Sequence, residues 1–556
     1  MDFKKLADLL FPDVTETPDD VERRFPPREL PEGAKVTRLA PSPTGFLHFG
    51  TLFPALVVER LAHTSGGICY LRIEDTDAKR EVEGAEKNLI DTLAYYGIRF
   101  DEGVTSDGET GAYGPYHQSE RAAIYHVFAK KLVEEGKAYP CFTTEEELAD
   151  LNAVDKKAEI KSRDWTGEAE ARKAAQEKQR AITLEEVEAR LAAGDPFVLR
   201  ILASGDGEKK VIANDLIKGK LELDENDEDF VLLKSDGIPT YHFAHAVDDH
   251  LMGTTHVVRG EEWLPSFPKH IQLFTYLGFR LPKYLHIAQL MKMDGDSKKK
   301  LSKRDRGAAL SDYRVEGYPP KTVMEYVMTL LNSNFEDWRR ANPDADWRDF
   351  EFSVKKMSVS GCLFDLDKLA DVSKNVISRM TAAEVYDGAL DWAKDYAPEF
   401  AALLERDRAY AESIFAIGRG GKKPRKDLAV WRDIPAYAGF FYDELFAIDD
   451  EYPDTFAKAD IAAALADYLA AYDHAADRDA WFDGVKACAA RQGFCPDMKE
   501  YKQNPDAYKG SVADVSMFIR VAVTGRMNSP DLYDVMHILG EERSRARVAA
   551  MIEKLK

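Results

Sequence analysis

What the chain lacks narrows it first. Of its 556 residues only five are cysteine, at positions 69, 141, 362, 488 and 495, and no two form a paired motif. Secreted disulfide scaffolds need such pairs, so a reducing cytoplasm is the expected compartment. No apolar run approaches the roughly 18 residues that a membrane-crossing helix needs. The N-terminus carries Asp2, Asp13, Glu16, Asp19 and Asp20, which makes it too acidic and too broken for a signal peptide. Positive charge is also scarce: 76 Lys and Arg face 98 Asp and Glu, a formal net charge of −22. Such a balance repels nucleic acid, so any RNA contact has to run through local basic patches. Three stretches qualify: Lys298 to Arg306, Arg419 to Lys426, and Arg543 with Arg545 and Arg547. There is no internal repeat, and the length predicts several domains with sizeable cores.

Against those absences stands one dense stretch, Arg38-Leu39-Ala40-Pro41-Ser42-Pro43-Thr44-Gly45-Phe46-Leu47-His48-Phe49-Gly50-Thr51. Lys35 to Ala40 alternates polar and apolar residues and reads as a short strand. The prolines and Gly45 then hold the chain extended. From Thr51 onward Leu52, Ala55, Leu56, Val58 and Leu61 recur at helical spacing, and Gly66-Gly67 stops the helix. Ile68 to Ile73 reads as a second, buried strand. Strand, helix, strand at this length predicts a right-handed parallel unit. The helix then starts at the carboxyl edge of the sheet, where free amides and the positive dipole end suit a phosphate. His48 stands just before that end, and Gly50 permits close approach of a ligand to the backbone.

Far downstream, Lys298, Lys299, Lys300, Lys303, Arg304 and Arg306 follow Asp294-Gly295-Asp296 and read as a cationic loop. Lysine is a flexible point charge, suited to phosphates whose geometry changes during a reaction. A different chemistry is open at His242, His245, Asp248, Asp249 and His250, whose spacing is that of metal ligands on a helix.

The first stretch together with Lys300-Leu301-Ser302-Lys303-Arg304 resembles the two nucleotide-handling signatures of class I aminoacyl-tRNA synthetases. Leu71 to Asp77, Gly114 to Arg121, Tyr241 to Ala244, Asp248 to Trp263, and Ser353 to Leu369 resemble glutamyl-tRNA synthetases of the bacterial type. The likeness runs from about residue 35 to the end. Related glutaminyl enzymes carry Glu-Pro-Asn in the first motif, where this chain has Ser42-Pro43-Thr44.

The resemblance implies a fold, a reaction and a set of sites. The fold is a Rossmann-like parallel sheet with an inserted acceptor-binding domain, followed by an all-α anticodon-binding domain. Its implied parts are an N-terminal extension (1–34), two catalytic halves (35–116 and 229–265) around a connective insertion (117–228), a stem-contact region with the lysine loop (266–375), and the helical domain (376–556). His48, Lys300 and Lys303 become the catalytic residues, and His48, Gly50, Glu262, Leu290 and Lys303 the ATP site. Arg38, Ala40, Ser42, Glu74, Tyr241, His245 and Arg259 become the glutamate site. Arg38 would take the side-chain carboxylate in a two-pronged grip, and Glu74 would take the ammonium. ATP enters with Mg²⁺ as a substrate, no metal is bound by the protein itself, and a single Cys141 in the insertion speaks against structural zinc. Partners are glutamate and tRNA-Glu, with tRNA-Gln as a possible second acceptor, and the implied state is a monomer. Two positions depart from the pattern: Thr51 stands where many class I enzymes have a second histidine, and His245 where asparagine is expected. A tRNA-modifying glutamyl transferase and a silent tRNA-binding paralogue are the alternatives. The long C-terminal region opposes the first, and the joint presence of Arg38, His48, Glu74, Arg259 and Lys303 opposes the second.

Overall fold

The computed structural model describes residues 1–45, 47–77, 81–143, 166–205, 209–302, 305 and 307–556, with the backbone alone over 166–172. Phe46, Lys303, Arg304 and Arg306 lie outside the described residues, as does the part before residue 166 of the charged, Ala-rich stretch 145–194, expected from its composition to be helical. Contacts divide the chain into two units, Met1–Leu310 with Val327–Phe364, and Ser311–Tyr326 with Asp365–Lys556. Among the described residues no helix is long and apolar enough to cross a membrane.

In the first unit the N-terminal segment forms two helices. α1 (Phe3–Leu10) is capped by the Asp2 carboxylate, and α2 (Pro18–Arg24) by a reciprocal Thr17–Asp20 box. Leu6, Leu10, Phe11 and Val21 are buried in one core with Phe128, Leu132, Phe243 and Phe274. The following Pro-rich stretch is also anchored. Arg28 grips Glu102 through both guanidinium arms at 2.8 Å, donates to the Met252 carbonyl at 2.8 Å, and lies 3.8 Å over the Tyr113 ring. Arg28→Ala is expected to lower stability by about 2 kcal/mol, because it strands a half-buried carboxylate. The check is a shift of the urea midpoint at unchanged slope.

β1 (Val36–Leu39), α3 (Phe49–His63) and β2 (Ile68–Leu71) form the expected parallel unit, with Val36 opposite Ile68. The helix begins ahead of the apolar pattern, with His48 at its N-cap. β3 (Glu102–Thr105) joins β2 in parallel and β4 (Gly108–Thr110) turns back on it. β5 (Ala138–Cys141) and β6 (Val198–Ile201) are antiparallel, and β7 (Lys210–Asp215) and β8 (Gly219–Asp224) form a hairpin. β9 (Val231–Leu233) pairs antiparallel with β6, so the apolar run Phe230–Leu233 does not resume the parallel sheet as expected. A continuous apolar run carries no period to say which sheet buries it.

The parallel sheet resumes at β10 (His256–Gly260), beside β11 (Lys283–Ile287), whose far side takes β7. Just ahead of β10, the Thr255 N–H donates to the Val36 carbonyl at 2.9 Å, which seats β10 next to β1. The sheet therefore grows from β1 in both directions, to β2 and β3 on one side and to β10 and β11 on the other. A crevice opens at the carboxyl ends where such a sheet reverses. β12 (Leu290–Asp294) and β13 (Ser297–Lys300) form a hairpin, with β14 (Cys362–Leu363) parallel to β12. Lys298, Lys299 and Lys300 thus sit on a strand, where a loop was expected.

The second unit is helical, with Val385, Trp392, Phe441, Phe518, Ile519 and Leu539 in its core. Its apolar stretches Ile461–Leu469 and Val515–Val523, whose spacing is helical, fall within helices Lys458–Ala471 and Val512–Thr524. Two of the expected basic patches shrink. Arg547 is buried and donates to the carbonyls of Phe440 and Val523 at 2.7 and 2.9 Å, while Arg543 and Arg545 also bond backbone carbonyls. Arg419 is turned onto the Phe415 carbonyl, and Arg425, still exposed, pairs with Asp427 beside the exposed Lys422, Lys423 and Lys426.

Candidate active site

A cavity of about 540 Å³ opens at the start of α3, lined by His48, Gly50, Phe53, Gly260, Glu262, Leu290, Lys300 and Ser302 among others. Its floor is made by two backbone crossings. Phe49 N–H donates to the Ala308 carbonyl at 2.7 Å, and Leu310 N–H to the Leu47 carbonyl. The first amide of α3 is therefore occupied, where a free phosphate-binding amide was expected. Gly50 also has a second use. A Cβ there would stand 2.9 Å from His48 Nδ1, so the bare glycine makes room for the imidazole itself. Gly260 does the same for Glu262, whose carboxylate lies 2.2 Å from where a Cβ would be. Lys300, at the end of β13, adds positive charge and helps to hold Glu261 below its ordinary pKa, against burial and alongside Lys218. Of the expected nucleotide-handling residues, His48, Gly50, Glu262, Leu290 and Lys300 meet around this one cavity; Lys303 is outside the described residues.

The expected amino-acid residues converge beside it. Ala40 and Ser42 lie just past the carboxyl end of β1, and the Glu74 N–H donates to the Pro41 carbonyl between them at 3.0 Å. The Tyr241 phenol is raised by burial, and its hydroxyl sits in the fields of Arg259, Glu74 and Arg38. Tyr241 also stacks on His245, with ring centroids 5.6 Å apart and planes within 7°. Glu74 is raised to about 7, because burial outweighs the pull of Arg72 and Arg38.

Beneath these side chains lies a buried charge network. Asp249 accepts from Arg38 Nε at 3.1 Å, Arg72 Nη1 at 2.8 Å and His245 Nδ1 at 2.8 Å. Arg38 and Arg72 hold Asp249 well below the usual carboxylate range despite complete burial. Its neighbour Asp248 accepts from Gln118, Arg121 and Tyr125 at 2.7 to 2.8 Å. His245 turns its other nitrogen to the Tyr284 hydroxyl at 2.8 Å, and burial pushes its pKa down to about 4. The residues whose spacing allowed a metal thus point to separate partners: His242 to His270, His250 to Glu22, and Asp248 and Asp249 to arginines. Among the described residues no group of three or more His, Cys, Asp or Glu is arranged to hold a metal ion.

Sequence reasoning gave Asp249 only as a metal-ligand candidate, quoted Arg72 only within a motif, and did not bring His270, His286 or Asp215 into the site. The His245–Asp249 pair was visible as an i, i+4 spacing on a helix. The others come together only through the sheet.

A reversing parallel sheet with a histidine-bearing helix start and a lysine hairpin around one cavity is the catalytic architecture of class I aminoacyl-tRNA synthetases. Residues 35–344 match the family described as tRNA synthetases class I (E and Q), catalytic domain, and residues 422–552 match the anticodon binding domain family. The glutamate–tRNA ligase of Acetivibrio thermocellus is 50% identical over 99% of this chain and 100% of that one. The glutamate–tRNA ligase of Clostridium perfringens strain 13 is 49% identical, again over 99% of this chain and all of its own. The crystal structure of a glutamate tRNA ligase from Elizabethkingia meningosepticum, in complex with its amino acid, superposes with a TM-score of 0.74 at 27% identity, covering 94% of this chain and all of that one. The chain belongs to the glutamate–tRNA ligase family.

Proposed function

We infer that the protein activates L-glutamate with ATP and transfers it to the terminal adenosine of tRNA-Glu. The observation that carries this reading is the junction of two sites at the carboxyl ends of β1 and β10. One is a cavity of about 540 Å³ walled by His48, Glu262, Leu290 and Lys300, and the other a cluster of buried side chains, Arg38 and Arg259 with Glu74. The first suits a nucleotide and the second a small dicarboxylate with an ammonium group.

In this reading a glutamate α-carboxylate oxygen attacks the α-phosphorus of ATP, and the bond to pyrophosphate breaks. ATP arrives as its magnesium complex, with the metal held as part of the substrate. His48, Lys300 and Lys303 offset the charge that builds on the phosphates, and the rest of catalysis is positioning. Arg38 and Arg259 supply the cations for the amino acid's carboxylates, and Glu74 is the partner for its ammonium. Ala40 and Ser42 line the approach, and Tyr241 and His245 close one wall. The terminal 2′-hydroxyl of tRNA then attacks the activated carbonyl, and AMP leaves.

The test is glutamylation of tRNA-Glu and tRNA-Gln transcripts with ATP and Mg²⁺. Charging of tRNA-Glu is expected, with His48→Ala and Lys303→Ala each lowering kcat/KM by about 100-fold or more. Folded protein that charges neither transcript overturns the reading. The tRNA-Gln reaction decides whether the enzyme discriminates between the two acceptors.

A further inference from the structure

Arg259, near the end of β10, is 6% exposed and is held in an unusual way. Its Nε donates to His286 Nε2 at 2.9 Å, and its Nη1 donates to His270 Nδ1 at 2.8 Å. Arginine offers only donors, so both imidazole nitrogens accept and both rings are neutral. That requirement fixes every proton further out. His286 keeps its proton on Nδ1 and donates it to Asp215 Oδ2 at 2.8 Å. His270 keeps its own on Nε2 and donates to His242 Nδ1 at 2.9 Å. Asp215 is locked in turn by the N–H groups of Ile217, Lys218 and His286. The rings of Tyr284 and Phe267 cover the guanidinium at 4.8 and 5.8 Å.

The contrast with the neighbouring arginines is chemical. Arg38, Arg72 and Arg121 each pair with a buried carboxylate. Among the described residues no carboxylate pairs with Arg259: the one further side chain acting on it is the neutral Tyr241 hydroxyl, and its Nη2, like Nη2 of Arg121, is buried with no hydrogen-bond partner of good geometry. A buried cation held only by neutral acceptors is short of an anion.

We propose that His242, His270 and His286, anchored by Asp215, form a neutral acceptor cradle that positions Arg259, with its charge uncompensated, for a carboxylate of the amino-acid substrate. This rests on the reading of Arg259 as part of the glutamate pocket. The histidines are positioning residues. They satisfy two arms of the guanidinium without cancelling its charge, which a carboxylate in their place would do.

The experiment compares His270→Leu with His270→Asn in steady-state glutamylation of tRNA-Glu. Asparagine can offer an acceptor oxygen where Nδ1 stands, and leucine cannot. The leucine variant is expected to raise KM for glutamate about 10- to 100-fold, with kcat and the KM for ATP changed less than about twofold. The asparagine variant is expected to recover most of that loss. Equal KM values for both variants and wild type overturn the cradle alone. So does a matched loss in both variants, or a parallel change in kcat and in KM for ATP, which marks general disorder. A wild-type protein that charges no tRNA overturns the functional reading and the cradle with it. Should His270→Leu fail to fold, His286→Gln against His286→Leu asks the same question at the other arm, since glutamine can place an oxygen where Nε2 stands.

Discussion

Asp249→Ala is expected to lower stability by about 3 to 5 kcal/mol and kcat/KM for glutamate by about 100-fold or more. The carboxylate is fully buried and is shared by Arg38, Arg72 and His245. Removing it takes the shared anion from two buried guanidiniums that already repel one another, the charge of Arg72 acting to lower Arg38. Arg72 retains Glu74 at 3.3 Å and Asp248 at 3.9 Å, whereas Arg38 has no second buried carboxylate bonded to it among the described residues. Arg38 is therefore expected to swing toward water or draw in an anion, and the amino-acid pocket loses the shape it was built to hold. Asp249→Asn keeps the volume and one acceptor, so it is expected to fall between the alanine variant and wild type. Urea unfolding measures the first effect and glutamylation kinetics the second. A variant with the wild-type midpoint and wild-type KM for glutamate would sink the argument.

The reason this network escaped the sequence, while the cavity did not, is instructive. His48, Gly50 and Lys300 stand in short strings whose local spacing carries the chemistry, so reading along the chain finds them. Arg38 and Arg72 were visible as residues, but their shared partner Asp249 sits on the helix Tyr241–Leu251, far away in the chain. Only the seating of β10 beside β1 brings that helix under both strands. Arg259 shows the same limit. It was placed in the pocket by resemblance, yet its holders come from β11, β7 and the helix Phe267–Leu277. The basic run at Arg543 to Arg547 fails in the opposite direction. Charge in a sequence reads as surface, and here the guanidiniums cap buried carbonyls. The N-terminal segment was visible as an extension, but Arg28 gave no sign of the Glu102 it grips. Periodicity supplies elements and local motifs supply chemistry; pairing across the sheet supplies neither until the register is known.

Acid is expected to weaken the first unit well above the pH at which its carboxylates protonate. Burial holds His242 down to about 3 and both His245 and His256 to about 4, with His250, His270 and His286 also lowered. A base whose folded pKa lies below its unfolded value of about 6.5 binds fewer protons when folded. Its contribution is complete above that value and fades as pH drops toward the folded pKa, at up to about 1.4 kcal/mol per group per unit. Three groups run the other way. Glu74, raised to about 7 by burial, takes up its proton in the fold first, so its share of stability grows on acidification from pH 7 toward its unfolded range. His63, raised by Glu59 and Asp101, and His117, raised by Glu109 and Glu86 against its own burial, stabilise most below their unfolded pKa. Six lowered histidines outnumber the three opposing groups, so a net loss of stability is expected between pH 7.5 and 5. Asp249, already far below its ordinary range, adds nothing in that window. Urea midpoints at pH 7.5, 6 and 5 measure the slope, and His242→Gln is expected to flatten it by about 1 kcal/mol per unit. A midpoint that stays constant across the window, and a slope that His242→Gln leaves unchanged, would mean that these histidines are not held neutral. The tautomers assigned around Arg259 would then be wrong as well, because an acceptor cannot also carry the extra proton.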